Sequence, residues 1–164
     1  MDPKATPEFV IGPMRVLTTR EMSFFYVANK PTPFANLDRD LDPLLSSLYA
    51  AKALAGLGEA GPDIVRYYRV DAGDPGQYRM EVGIPVRPET QPAGEAQMKT
   101  LPPYHCAGLL LWGSLAHIVQ TYETLTQAVQ AAGLETTGEC REWTYWFESP
   151  DSPTNLMAVF MEVR

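Results

Sequence analysis

The segment LPPYHCAGLLLWGSLAHIVQTYETLTQAVQAAG, residues 101–133, changes its hydrophobic period partway along, and that change sets the architecture. Tyr104–Trp112 is a nearly unbroken apolar run of strand length. The chain turns at Gly113-Ser114, after which Leu115, Ile118, Tyr122, Leu125 and Val129 recur with helical spacing. The Ser114 hydroxyl is suited to accept from the orphan N–H groups that open a helix, and Gly133 is suited to close it.

Strands Gly138–Glu148 and Asn155–Val163 are expected downstream of this helix. Upstream, Leu44, Leu45, Leu48, Tyr49, Ala51 and Ala55 give a second helical stripe, with Gly58 as its stop. Two starts fit it. Either Asp42 caps the helix with Pro43 at its first position, where the missing N–H costs nothing, or it begins near Phe34 and Pro43 kinks it. Strands are expected at Val10–Thr18, Phe24–Ala28, Asp63–Val70 and Gln77–Val86, with turn-rich pieces at 71–76, 87–95 and 149–154. Each half then runs strand, helix ending in Gly, strand, Pro-containing turn, strand. The expectation is an α+β fold: one domain over 1–164, built from two halves at about 8–87 and 98–163 related by a pseudo-twofold. Its antiparallel sheet would carry two main helices, with a cleft between the halves.

A length of 164 residues with 45% hydrophobic and 20% charged content fits a chain that buries a real core. The net charge of −7, with no basic run beyond two residues, argues against direct nucleic-acid binding. No apolar run reaches bilayer-spanning length, and MDPKATPEF lacks the apolar stretch of a signal peptide, so the expected setting is cytoplasmic and off the membrane. Cys106 and Cys140 fall in apolar segments and read as reduced, buried thiols. With His105 and His117 the only histidines, neither a His-based metal site nor a cofactor is expected. GxSxG, Walker and HExxH motifs are absent.

Glu142-Trp143-Thr144-Tyr145-Trp146-Phe147-Glu148 packs four aromatics into five positions between two carboxylates. Alternation along a strand puts Trp143, Tyr145 and Phe147 on one face, and Glu142, Trp146 and Glu148 on the other. The first set suits packing. The second joins a π-surface to negative charge, which suits an apolar or cationic small molecule.

Several stretches resemble one known family in order and spacing. They are GPDIVRYY (61–68), YRMEVGIPV (78–86), the strand-to-helix segment 101–125 and TYWFESP (144–150). Together they resemble the GyrI-like small-molecule-binding family, the effector-binding domain of multidrug-sensing transcription regulators, over about 8–163. The resemblance implies two strand-helix-strand-strand halves around a hydrophobic cleft that binds bulky aromatic or cationic compounds, often with one buried Glu. It also implies that stand-alone members include hydrolases of cyclopropane-bearing alkylators and inhibitors of DNA gyrase. No helix-turn-helix precedes the domain in this sequence, so a stand-alone member is expected. Ala158 occupies the position where the family often carries an acid.

The candidate ligand-binding residues are Tyr67, Glu81, Trp112, Glu142, Tyr145, Trp146 and Phe25, with Tyr67 and Trp146 as symmetric partners across the cleft. Gly83, sharing a strand face with Glu81, would leave room for a ligand or for another backbone. Burial without a partner would raise the pKa of Glu81 or Glu142, which serves both cation binding and general acid/base work. The leading expectation is a sensor or sequestering protein for a hydrophobic or cationic compound. The alternatives are a hydrolase using Glu142 or Glu81, and a protein partner of gyrase or of a separate regulator.

Overall fold

The computed structural model describes residues 9–58, 60–70 and 76–164. The strands among them are β1 (Phe9–Ile11), β2 (Arg15–Thr18), β3 (Met22–Ala28), β4 (Thr32–Pro33), β5 (Asp63–Arg69), β6 (Gln77–Val86), β7 (Gln97–Leu101), β8 (His105–Gly113), β9 (Thr136–Trp146) and β10 (Leu156–Val163). The helices are α1 (Leu37–Leu54) and α2 (Ile118–Ala131), giving the expected α+β class. The strands form one antiparallel sheet in the order β1-β8-β10-β9-β5-β6-β3-β7, with β2 beside β8 and β4 beside β6.

Some boundaries differ from the sequence reading for identifiable reasons. The run 10–18 is broken by Gly12-Pro13, and β1 and β2 pair separately with β8. The helix over 37–54 takes the early start, after a 3-10 turn at Phe34–Asn36, and carries Pro43 inside; Asp42 is not its cap. It stops at Gly56 rather than Gly58: Gly56 adopts φ 66°, and the Leu57 N–H donates back to the Lys52 carbonyl. The same closure ends α2, with Gly133 at φ 69° and the Leu134 N–H donating to the Val129 carbonyl. Ser114 caps the 3-10 turn Leu115–His117 that leads into that helix, its Oγ accepting from the Ala116 N–H at 3.1 Å, while α2 itself begins after His117 with no side-chain cap. Strand β7 has no counterpart in the sequence reading, and the turn read at 71–76 lies, except for Gly76, outside the described residues.

Both helices lie on one face of the sheet, each over its own apolar cluster. Under α1, Leu44 and Leu48 meet Phe25, Val27, Val82 and Ile84. Under α2, Leu125 and Val129 meet Ala107, Leu109, Val159 and Val163. The sheet's central pair, β5 and β9, lies between these clusters, with Val65 opposite Glu142 and Tyr67 opposite Cys140. Alternation turns those four side chains toward the gap between the helices. The opposite face buries Phe24, Tyr26, Ile64 and Leu101 in one group, and Tyr104, Cys106, Ala158 and Phe160 in another. Gly83 belongs to that face. A Cβ there would strike the Phe25 carbonyl and come within 2.8 Å of the Phe24 ring, so the space is filled by protein and not left for a ligand.

Candidate functional site

The gap over β5 and β9 is a cleft with two lobes. The larger, about 570 Å³, is walled by Phe34 and Leu37 at the α1 side, Ile118 and Tyr122 of α2, and Tyr78 of β6, over a floor that includes Tyr67 and Cys140. The smaller, about 230 Å³, lies between Leu45 and Tyr49 of α1 and the Trp146, Phe147 and Met157 side. Leu41, Val65 and Glu142 line both lobes, so the carboxylate stands at their junction. A third, more open hollow of about 830 Å³ adjoins the smaller lobe through Tyr49, Asp63, Thr144 and Phe147. Its charges are mutually satisfied: Lys52 lies 3.7 Å from Asp63, which also accepts from the Tyr49 hydroxyl at 2.8 Å. Burial, then Asp63, pushes the Tyr49 pKa up to about 12.

Glu142 is deep in the molecule yet still open to the cleft. The Tyr122 hydroxyl donates to its Oε1 at 2.6 Å, and no other hydrogen bond or ion pair reaches the carboxylate among the described residues. Burial raises its pKa and the nearby charge of Asp38 adds to the rise, while the bond from Tyr122 acts against them. Burial also raises Tyr122 and Tyr67 well above the ordinary phenol value, with Glu142 contributing to both. The Cys140 thiol is pushed up to about 11, first by burial, so it stays protonated at neutral pH. The aromatic wall is continuous. The Phe34 ring lies 5.2 Å from Tyr78 and 6.2 Å from Tyr67, whose ring is 6.4 Å from Tyr122.

Glu81 is the opposite case. It points to the other face of the sheet, 1% exposed, with Arg66 Nη1 and Lys99 Nζ each at 2.5 Å, Arg79 Nε at 3.4 Å and the Tyr68 hydroxyl at 3.2 Å. Burial works to raise its pKa, but the bond from Lys99 and the charge of Arg66 outweigh it and hold the carboxyl below its usual range. Glu81 is thus a structural ion-network residue, remote from the cleft.

Of the seven residues expected to bind ligand, the fold brings Tyr67, Glu142 and Trp146 to the cleft, in different places. Tyr67 lines the larger lobe and Trp146, 62% exposed, the smaller, so the two do not face each other as a pair. Tyr145 lines only the outer hollow. A register shift pairs Leu156 with Trp146 but Met157 with Thr144, which leaves Tyr145 as an extra residue and breaks the alternation that assigned it to packing. Tyr145 and Phe147 are consequently half exposed. Trp112 faces away from the helices because Leu109 and Leu111, on the other side of its strand, point into the α2 side. Phe25 is fully buried beneath α1 and does not reach the cleft.

The sequence reading missed Phe34, Asp38, Tyr78 and Cys140 as cleft residues, and placed Tyr122 only in the helical stripe. A phenol in an apolar helical stripe was the available signal, since a buried Tyr hydroxyl needs a partner.

No protein-family model matches the sequence, and no curated protein matches it. Solved structures match over almost its full length. The C-terminal domain of EcmrR aligns with TM-score 0.66 at 14% identity, covering 93% of this chain and 98% of that one. SAV2435 bound to tetraphenylphosphonium aligns at 0.70 and 11%, covering 93% and 94%. A hydrolase from Listeria innocua aligns at 0.57 and 12%, covering 92% and 91%. Against EcmrR in its complex with DNA, this chain spans 59% of the partner chain's length. At these identities the likeness is one of fold, and it agrees with the GyrI-like effector-binding fold that the sequence motifs resemble.

Proposed function

We propose that this protein binds bulky apolar cations in the two-lobed cleft, with aromatic rings as walls and Glu142 as the counter-charge, as a sensor or sequestering protein. The observation that carries the reading is Glu142, a deep carboxylate open to a cavity and held by one phenol. Leaving such a group without a cation is unfavourable, and a bound cation restores its ionised form. The rings of Phe34, Tyr67, Tyr78 and Tyr122 supply area for apolar contact and faces for cation–π attraction. The similarity to SAV2435, which was solved with tetraphenylphosphonium bound, supports this class of ligand. The strand order, in which β8-β10-β9 and β3-β6-β5 meet at the centre, supports reading the chain as one binding unit of two related halves. A sensor of this kind would act with a separate regulator as its partner.

Titration with tetraphenylphosphonium tests the proposal, read by tryptophan emission and by melting temperature. Saturable quenching, a rise in melting temperature, and affinity that increases with pH through the raised Glu142 pKa are expected. A complete titration with neither quenching nor a thermal shift would sink the proposal.

A further inference from the structure

The two lobes differ in shape but share a chemical plan. The larger has four rings, Phe34, Tyr67, Tyr78 and Tyr122, with Asp38 at its edge. The smaller has Tyr49, Trp146 and Phe147, with Asp42 at its edge. Glu142 serves both, and no Lys or Arg lines either lobe among the described residues. Asp38 and Asp42 make no ion pair or side-chain hydrogen bond among those residues, whereas Asp40, between them, binds Asn29 and Arg39. Helix-end electrostatics accounts for Asp38, which lies in the first turn of α1. Asp42 lies beyond the first turn, and both acids are exposed at the rim of their lobes, where solvent and an entering cation can both reach them.

We infer that the cleft is built for elongated ligands carrying two separated positive charges, one cationic end held in each lobe. The inference rests on the cation-binding reading above and narrows it. A compact monocation placed in one lobe meets Glu142 and one ring set, leaving the other lobe's rings and acid unused. A second cationic end joined by a linker would cross the junction, where Leu41 and Val65 stand beside Glu142, and reach the second ring set, leaving the carboxylate between the two charges. The spacing follows from the backbone. Asp38 and Asp42 are one helical turn apart, about 6 Å. Tyr67 and Asp63, on the floor of the two lobes, are four strand residues apart, about 13 Å. Ligand charges about 10 Å apart fall between these limits. Linking the two ends makes the second contact intramolecular, so it adds affinity without a second loss of translational freedom.

The test uses α,ω-bis(trimethylammonium) alkanes of increasing length against matched alkanes with one trimethylammonium and one terminal hydroxyl, by calorimetry at about 0.15 M salt. The bis-cation with charges about 10 Å apart should bind at least about tenfold tighter than its monocationic match, while the shortest bis-cation shows no such gain. Asp42→Asn and Trp146→Ala should each lower that bis-to-mono ratio toward one. Equal affinities for the long bis-cation and its match would overturn the inference and leave the cation-binding reading standing, as would an unchanged ratio in both variants. If no member of either series binds while tetraphenylphosphonium does, the inference falls and the cation-binding reading stands; if tetraphenylphosphonium fails as well, that reading falls with it.

Discussion

Replacing Glu142 with Gln separates charge from shape at the cleft. The Gln side chain has the same size and keeps an oxygen to accept from Tyr122, so only the ionisable form is lost. Burial and the charge of Asp38 raise the Glu142 pKa. A carboxyl with a folded pKa above its unfolded value, about 4.3, holds its proton more tightly when folded. Its contribution to stability is therefore full below the unfolded value and is lost as pH rises through the folded one. Gln incurs no such loss. Glu142→Gln should thus be more stable than wild type at neutral pH, by about 1 kcal/mol, or about 2–4 °C in melting temperature for a chain of this length. The difference should vanish below about pH 4. Toward a cationic ligand the effect reverses. A carboxylate and a cation about 4 Å apart gain roughly 4 kcal/mol at an effective dielectric near 20. After desolvation about 1.5–3 kcal/mol remains, which is about a 10- to 150-fold weaker dissociation constant for the variant. Calorimetry with tetraphenylphosphonium from about pH 5 to pH 8, beside thermal denaturation of both proteins, reads both arms. Wild-type affinity in the variant, or a variant less stable at every pH, would refute the reasoning.

Glu81 should behave oppositely. Glu81→Gln leaves Arg66 and Lys99 without their buried counter-charge and should cost about 3–5 kcal/mol in urea denaturation. Because its pKa is lowered in the folded protein, the wild-type contribution is present above the unfolded carboxylate value and is lost as pH falls through the lower folded one, so the gap between the two proteins should narrow in acid. Gly83→Ala forces a methyl against the Phe25 carbonyl and the Phe24 ring, and should lower stability by about 1–3 kcal/mol; a neutral result would mean that this contact relaxes freely. Trp146→Ala removes an exposed ring from the smaller lobe, so ligand-induced quenching should shrink while unfolding free energy moves by less than about 0.5 kcal/mol.

The periodic parts of the chain were legible without coordinates. The Ser114 cap on the turn that leads into α2, the α2 stop at Gly133 and the long apolar strands follow from local spacing that tertiary packing did not override. Pro43 was ambiguous because its chemistry fits a first position, yet α1 tolerates it inside while Leu44 and Leu48 are buried on either side of the following turn. Among site residues, Glu142 and Glu81 looked alike in sequence, each a carboxylate in an apolar strand. Which face each takes, and whether cations from other strands meet it there, is decided by partners far apart in the chain: Lys99 for one, Tyr122 for the other. The placement of Tyr145 depended on a register shift against β10, which no pattern within its own strand encodes.

The apolar clusters beneath the two helices share no residue among those described, and on the helical face the β5–β9 ladder and the cleft side chains join the α1 side to the α2 side, while Trp143 bridges the two apolar groups of the opposite face. The cleft is therefore a seam in the helical layer. A guest lodged there would behave as a removable piece of interior, completing one layer from α1 to α2. Leu37 and Leu41 of α1 and Ile118 and Tyr122 of α2 each line the cleft and also pack on the cluster beneath their own helix, so a guest that moved these walls would be felt in the packing below them. On the proposed reading, selection by charge would rest with the Glu142 carboxylate on the floor, and fit to shape with side chains that each helix also uses to hold its own cluster.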